Sequence, residues 1–146
     1  MKNKKAYLNY RIIDEYEAGI ILEGSEVKSL RLSNLSFTDS YIFISNNEIW
    51  VKNLEISKYK FAHPMEVINT KRDRKLLLTK KQINKIKNEI KENGITCVPL
   101  GVFMKNNKFK IKIGIVQGKK QWDKRESLKE KEMKKKLNIL QKNLRN

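Results

Sequence analysis

Two pairs of adjacent asparagines, each lying between runs of β-forming residues, constrain the fold of this chain more than any other feature. Asn46-Asn47 separates SYIFIS from EIWVKNLEI, and Asn106-Asn107 separates TCVPLGVFM from KFKIKIGIV. Asparagine tolerates the positive φ angles that a tight hairpin turn requires. We therefore predict two antiparallel hairpins.

The last of these runs alternates between apolar and basic residues, as a strand with one buried face does. Its apolar face consists of Phe109, Ile111, Ile113 and Ile115. The other face carries Lys110, Lys112 and Gly114, and the glycine allows close approach to the backbone. This pattern predicts a basic, solvent-facing strand surface.

The remaining elements follow from shorter signals. Residues 5–22 are rich in β formers and predict a strand. Residues 24–31 predict a short helix capped by Ser25. Between the hairpins, Thr79 and Gln82 form a capping box at the start of a second helix, and Gly94 is expected to end it. The buried stripe of that helix consists of Ile83, Ile86 and Ile90.

About six strands and two helices, joined by antiparallel hairpins, favour a mainly β fold for residues 1–117. We expect a small antiparallel barrel with two or three accessory helices, a group of which the oligonucleotide-binding barrel is one member. Residues 118–146 differ, because they are highly charged and have no β pattern, so they should be disordered in the free protein. Their capping box, Ser127 with Glu130, and a leucine-rich stripe predict a helix when this basic C-terminal tail is bound.

Positive charge dominates both parts of the chain. The sequence has 33 basic and 16 acidic side chains, a formal net charge of +17. Residues 118–146 hold 11 basic and 4 acidic side chains, which leaves 22 and 12 in residues 1–117. Because the excess is not confined to one end, it indicates a polyanionic partner, most often nucleic acid.

The residues that usually carry catalysis or metal binding are sparse. His63 is the single histidine and precedes Pro64 in a predicted loop, and Cys97 lies in a predicted strand. No Cys/His cluster has metal-ligand spacing and no glycine-rich phosphate loop occurs, so we expect no metal, no cofactor and no enzymatic activity. A nuclease using Asp14, Glu15 or Glu17 is a weaker alternative.

The compartment is predicted from what the sequence lacks. The single cysteine cannot form an internal disulfide, which fits a reducing cytosol. The basic N-terminus is not followed by the apolar core of a signal peptide. No apolar run approaches the roughly 18 residues of a membrane span. We expect a cytoplasmic protein that does not bind membranes.

Several segments, in order along nearly the whole chain, resemble the SsrA-binding protein (small protein B) family. They are Asn3-Lys4-Lys5-Ala6-Tyr7, YEAGIILEGSEVKSLR at 16–31, Asp39-Ser40-Tyr41, RKLLL at 74–78, Val98-Pro99-Leu100, KIKIG at 110–114, Gly118-Lys119-Lys120 and Asp123-Lys124-Arg125. The resemblance implies an oligonucleotide-binding-like fold and a monomer that binds the tRNA-like domain of transfer-messenger RNA (tmRNA). It also implies delivery of that RNA to stalled bacterial ribosomes for trans-translation.

The resemblance also implies the site residues. Glu17, Leu77 and Lys110 would contact the tRNA-like domain, and the supporting RNA-binding set is Asn3, Lys4, Lys5, Gly19, Lys28, Arg31, Arg72, Arg74, Lys75, Lys112, Lys119 and Lys120. In the small-subunit decoding region and messenger channel, the tail would contact ribosomal RNA through Trp122, Asp123, Lys124, Arg125, Lys129, Lys131, Lys134, Lys135 and Lys136.

The chain departs from the family pattern at three places. Trp122 stands where tyrosine or histidine is usual, Asn69-Thr70 replaces a common Asp-Pro, and Thr79 replaces a frequent histidine. We expect the Trp122 ring to stack on a ribosomal RNA base. A ribosomal protein or assembly factor with a basic extension is the alternative function.

Overall fold

A computed structural model describes residues 1–62, 65 and 67–118 of the chain. The helices are α1 (Lys4–Asn9), α2 (Gly24–Arg31) and α3 (Lys80–Glu89). The strands are β1 (Tyr10–Ile20), β2 (Leu35–Ser36), β3 (Tyr41–Ser45), β4 (Glu48–Lys52), β5 (Glu55–Ile56), β6 (Arg74–Leu77), β7 (Ile95–Lys105) and β8 (Lys108–Gly118). In this part of the chain, no helix is long and apolar enough to cross a membrane.

Six strands form one antiparallel sheet in the order β3-β4-β6-β1-β8-β7, and β2 pairs with β5 in a separate ladder. The mainly β, antiparallel prediction is confirmed. The sheet is not closed into a barrel: Cα atoms of its edge strands β3 and β7 come within 8 Å of each other, but the two strands are not hydrogen-bonded neighbours. The twist of a sheet brings its edges together without requiring a closing ladder.

Both predicted hairpins are confirmed. Asn46 and Asn47 have φ angles of 51° and 60°, and Asn106 and Asn107 have φ angles of 52° and 61°. Positive φ at both central residues is the geometry of a type I′ turn, whose twist matches that of the flanking strands. The two asparagine pairs therefore set the register of β3 with β4 and of β7 with β8.

Most of the apolar side chains lie on one face of the sheet. The β8 residues Phe109, Ile111, Ile113 and Ile115 are buried there, as predicted. Leu30 of α2 and Ile86 of α3 pack into the same core. Cys97 also belongs to it, and burial raises the pKa of its thiol, so this cysteine is a core residue. A smaller cluster lies elsewhere, where Ala6 of α1 packs on Val98, Leu100 and Val116.

The predicted strand at 5–22 is wrong for its first residues, because 4–9 form α1. Asn3 caps this helix by accepting a hydrogen bond from the Ala6 backbone N–H at 3.3 Å. Ala6 is then buried against β7 and β8. The short amphipathic helix is stabilised by that packing, which overrides the β propensity of its tyrosine.

Two predicted helix boundaries are also corrected. The N-cap of α2 is Glu23, which shares a capping box with Glu26, so Ser25 lies inside the helix. The capping box of Thr79 and Gln82 at the start of α3 is confirmed. However, α3 has its C-cap at Ile90, and Gly94, with a φ of 80°, lies beyond it in the turn before β7.

Candidate nucleic-acid interface

Five residues predicted to bind RNA lie together on three adjacent strands. Gly19 of β1 pairs with Leu77 of β6 on one side and with Lys110 of β8 on the other, and Glu17 pairs with Lys112. Directly opposed residues of antiparallel strands point to the same face, and so do residues two apart. The five side-chain positions therefore share the face that is turned away from the main core, and we call them the strand surface.

The centre of the strand surface is apolar because of Gly19. A Cβ atom at this position would lie 3.1 Å from Cβ and 3.3 Å from Cδ1 of Leu77. Without it, the leucine can lie across β1 while its side chain stays 53% exposed. Exposed leucine among charged neighbours offers contact to a ribose or to the edge of a base.

Two ion pairs cross the strand surface. Lys112 Nζ lies 3.0 Å from Glu15 Oε2, and Lys105 Nζ lies 3.2 Å from Glu17 Oε2. The hydrogen bond and the charge of Glu15 raise the pKa of Lys112, so its ammonium stays protonated. Both pairs are solvent-exposed and hence weak, so an arriving phosphate can compete for the lysines.

Lys110 and Lys75 extend the positive charge of this face. Lys110 is half-exposed and has no ion-pair partner within the described ranges, so its ammonium is available to a ligand. Lys75 lies two residues before Leu77 on β6, and its Nζ is 3.3 Å from a carboxylate oxygen of Glu48. The strand surface is therefore bordered by cations on both sides of Leu77.

Gly114 serves packing rather than ligand access, in contrast to the sequence prediction. A Cβ atom on it would lie 2.6 Å from Cδ1 of Leu100, which is fully buried. The space that the glycine leaves is thus filled by Leu100 and belongs to the small core beneath α1.

Arg74 acts inside the protein, in contrast to the expectation that it contacts RNA. Its side chain is 0% exposed, and its Nε donates to Glu26 Oε2 at 2.6 Å. Its other nitrogens donate to the backbone carbonyls of Leu54 and Thr70. Arg72 donates from Nε to the same carboxylate at 3.1 Å and from Nη2 to the Ile21 carbonyl at 3.3 Å. Arg74 of β6 and Arg72 just before it therefore connect this part of the chain to α2.

The Glu26 carboxylate is held in its charged form. Burial alone would raise its pKa, but hydrogen bonds from Arg72, the Glu23 backbone N–H and Arg74 outweigh burial and lower it. Burial also lowers the pKa of Arg74, although a guanidinium remains protonated throughout the neutral range. This buried cluster is a structural support.

Asn3 is likewise an internal residue, while its lysine neighbours are exposed. The Asn3 side chain caps α1 and donates from Nδ2 to the Pro99 carbonyl at 2.7 Å, with only 9% of the residue exposed. Lys4 and Lys5 line an open groove of about 430 Å³ between α1 and residues 35–40. They are thus available to a polyanion, but they do not belong to the strand surface.

Lys28 and Arg31 form a third basic region, on the exposed side of α2. Leu30 of the same helix lies in the main core together with Ile111 and Ile113 of β8. Lys110 and Lys112 alternate with these isoleucines and point the other way. The main core therefore lies between α2 and the strand surface.

The remaining predicted residues fall outside the described residues. These are Lys119, Lys120, Trp122, Asp123, Lys124, Arg125, Lys129, Lys131, Lys134, Lys135 and Lys136, and also the loop position of His63. Across 1–62, 65 and 67–118, no group of His, Cys, Asp or Glu side chains could hold a metal ion.

Three residues that contact the predicted site residues, Glu15, Lys105 and Glu26, were not predicted from the sequence to belong to the RNA-binding set. Glu15 could have been found, because strand alternation places it on the same face as Glu17. Lys105 and Glu26 carry no such signal. Their partners lie 88 and 46 or more residues away, so only the folded chain reveals these contacts.

The chain is similar to known proteins over most of its length. The family model described as SmpB protein matches residues 1–143. The SsrA-binding protein of Aquifex aeolicus is 47% identical over 137 residues, covering 93% of this chain and 87% of the relative. That of Wolbachia pipientis wMel is 46% identical over 143 residues, covering 97% and 95%.

The fold of this chain is also similar to that of a solved structure. A chain in the structure described as "tmRNA-SmpB: a journey to the center of the bacterial ribosome" has a TM-score of 0.71 and 34% identity. The match covers 83% of this chain and 85% of that chain. With the family model spanning nearly its whole length, the chain belongs to the SmpB family of SsrA-binding proteins.

Proposed function

We propose that this protein binds tmRNA and delivers it to stalled ribosomes for trans-translation, as a cytoplasmic adaptor and not as an enzyme. Its relatives are named SsrA-binding proteins, and the similar solved chain is described with tmRNA and the bacterial ribosome. The observation that carries the proposal is the strand surface, where Glu17, Gly19, Leu77, Lys110 and Lys112 meet although they come from three separate segments.

Each part of the strand surface has a distinct role in this proposal. Lys110 and Lys112 bind backbone phosphates, which accounts for most of the affinity of a basic protein for RNA. Leu77 contacts an exposed ribose or base. Glu17 is repelled by phosphate, so its carboxylate accepts hydrogen bonds from a base or a sugar hydroxyl and sets the register of the RNA.

The chain is proposed to have two functional parts, residues 1–117 and 118–146. The first part binds the tRNA-like domain of tmRNA. The second, with 11 basic side chains, contacts ribosomal RNA in the decoding region and messenger channel of the small subunit. Within it, Asp123-Lys124-Arg125 and Trp122 make the principal contacts.

Replacing Lys110 with alanine tests the strand surface. We expect Lys110→Ala to weaken tmRNA binding about 5- to 10-fold in a gel shift and to reduce the slope of log K against log salt by about 1, because one phosphate contact is lost. Lys87→Ala, an exposed lysine on α3, is the matched control and should change neither quantity. Equal effects of the two variants would contradict the proposed interface.

A further inference from the structure

A second surface combines a pair of aromatic rings, of which Phe61 is exposed and Tyr59 is partly buried, with cations. Lys28 Nζ of α2 lies 5.5 Å from the centre of the Tyr59 ring, and Lys60 Nζ lies 5.7 Å from that of Phe61. The two rings meet edge to face, 5.5 Å apart and inclined by 68°. Arg31 lies three residues after Lys28, on the same face of α2, and we call this residue, Lys28, Tyr59, Lys60 and Phe61 the aromatic surface.

The aromatic surface is anchored to α2. Ser29 Oγ donates to the Ser57 carbonyl at 2.6 Å, and the Ser57 N–H donates to the Asn34 carbonyl at 3.1 Å. A turn follows, closed by the Ala62 N–H on the Tyr59 carbonyl at 3.0 Å. These hydrogen bonds hold the segment that precedes Tyr59 and Phe61 against α2, the helix that carries Lys28.

Phe61 is the unusual member, because 73% of it is exposed. Because its ring contacts that of Tyr59 and lysines lie over both rings, the two side chains form an apolar patch rimmed by cations, which is typical of an interaction site. The neighbouring cations favour an anionic ligand over an apolar protein face. An unpaired nucleotide supplies both a flat ring that stacks on an aromatic side chain and a phosphate that pairs with lysine or arginine.

We propose that the aromatic surface binds an unpaired segment of RNA, with a base stacked on Phe61 and phosphates held by Lys28 and Arg31. This inference rests on the proposed function only in taking RNA as the class of partner. It adds a second site, because the main core lies between α2 and the strand surface. The protein can therefore contact two RNA segments at once.

A fluorescent RNA tests the stacking directly. The probe is a single-stranded 12-nucleotide RNA containing 2-aminopurine, whose fluorescence falls when it stacks, and the protein is the full chain. We expect Phe61→Leu to weaken binding about 5- to 30-fold and to remove the quenching, because leucine keeps apolar bulk but has no ring. Phe61→Tyr should retain both.

The matched control is Tyr41→Leu, since Tyr41 is an exposed ring (39%) that also contacts a second aromatic residue, Phe43. Tyr41→Leu should bind the RNA probe and quench its fluorescence as the wild type does. The inference is overturned if Phe61→Leu behaves like the wild type, or if Tyr41→Leu loses as much. It is also overturned if Phe61→Leu changes only self-association in gel filtration, because the surface would then bind a second copy.

Two further arms identify the source of the RNA and separate this inference from the proposed function. Binding of Phe61→Leu is measured to tmRNA alone and to empty ribosomes alone. If Phe61→Leu binds tmRNA more weakly than the wild type, the RNA segment belongs to tmRNA. If it binds empty ribosomes more weakly, the segment belongs to ribosomal RNA. If its binding to both is unchanged, the inference is overturned. Lys110→Ala is measured in parallel. If it binds tmRNA normally while Phe61→Leu fails, the strand surface is wrong and the aromatic surface stands.

Discussion

At the scale of single residues, the buried carboxylate of Glu26 is the most consequential group. It receives hydrogen bonds from Arg72 and Arg74, and Arg74 in turn binds the carbonyls of Leu54 and Thr70. Three segments distant in sequence are thereby joined. Buried ion pairs of this kind contribute little net stability compared with apolar packing, but removing one partner leaves an uncompensated buried charge.

We expect Glu26→Gln to lower the free energy of unfolding at pH 7 by about 3–5 kcal/mol, because Arg74 would then be buried without a counter-charge while Arg72 keeps only the more distant Glu23. The pKa of Glu26 is lowered from its ordinary value of 4.5, so its stabilisation is complete above about pH 4.5 and is lost as the pH falls through the folded-state value. Urea unfolding at pH 7 and pH 3 should therefore show a smaller difference between variant and wild type at pH 3.

The control for this prediction is Glu92→Gln, which neutralises an exposed carboxylate without an arginine partner in the described part of the chain. It should change the unfolding free energy by no more than about 0.5 kcal/mol at either pH. An equal loss for Glu26→Gln at both pH values would show that the carboxylate contributes by shape and not by charge.

At the scale of elements, the hairpin turns show how far local chemistry determines the fold. Asn106 and Asn107 have positive φ, as predicted for a two-residue turn, and they bring Lys105 opposite Lys108. The register of β7 with β8 then follows as far as the pair of Gly101 and Lys112, beyond which a bulge shifts it by one residue. By contrast, α1 was not predicted, since it is stabilised by long-range contacts: Ala6 packs on β7 and β8, and Asn3 Nδ2 donates to the Pro99 carbonyl on β7.

Replacing Asn107 tests the turn. Asn107→Val should destabilise the protein by about 1–2 kcal/mol, because a β-branched residue is strained at a φ of 61°. Asn107→Gly is the matched control, since glycine adopts this conformation readily, and it should leave stability equal or slightly higher. Thermal unfolding of the two variants measures the difference, and similar melting temperatures for both would argue against a type I′ turn.

At the scale of the whole molecule, positive charge is distributed over several regions with different roles. The strand surface, the groove beside α1 and the aromatic surface each carry lysines, while Arg72 and Arg74 are engaged internally. All three regions lie within residues 1–118. We therefore expect that the proposed binding of tmRNA does not require Asp123, Lys124 or Arg125.

We expect simultaneous replacement of Asp123, Lys124 and Arg125 by alanine to leave tmRNA affinity within about 2-fold of the wild type at low salt, since only one net positive charge is removed. The same variant should fail to support peptide tagging on stalled ribosomes. A gel shift and a reconstituted tagging assay measure the two effects. Loss of tmRNA binding in the gel shift would refute the division into two functional parts.

Features that depend on neighbouring residues could be predicted from the sequence. Turn residues, capping boxes and strand alternation act over a few positions, so both hairpins, α3 and the two faces of β8 could be predicted. The family motifs also predicted Glu17, Leu77 and Lys110 as site residues, and the sheet places them on adjacent strands.

Long-range contacts in the folded chain determine which basic residues are free to face solvent and which are held by an internal carboxylate. Arg72 and Arg74 resemble Lys110 and Lys112 in the sequence, yet Glu26 engages the first pair while the second faces outward. The same holds for Asn3 and for Gly114 beneath Leu100. Burial and long-range hydrogen bonding depend on residues far apart in the chain, and these distances are established only when the sheet has formed.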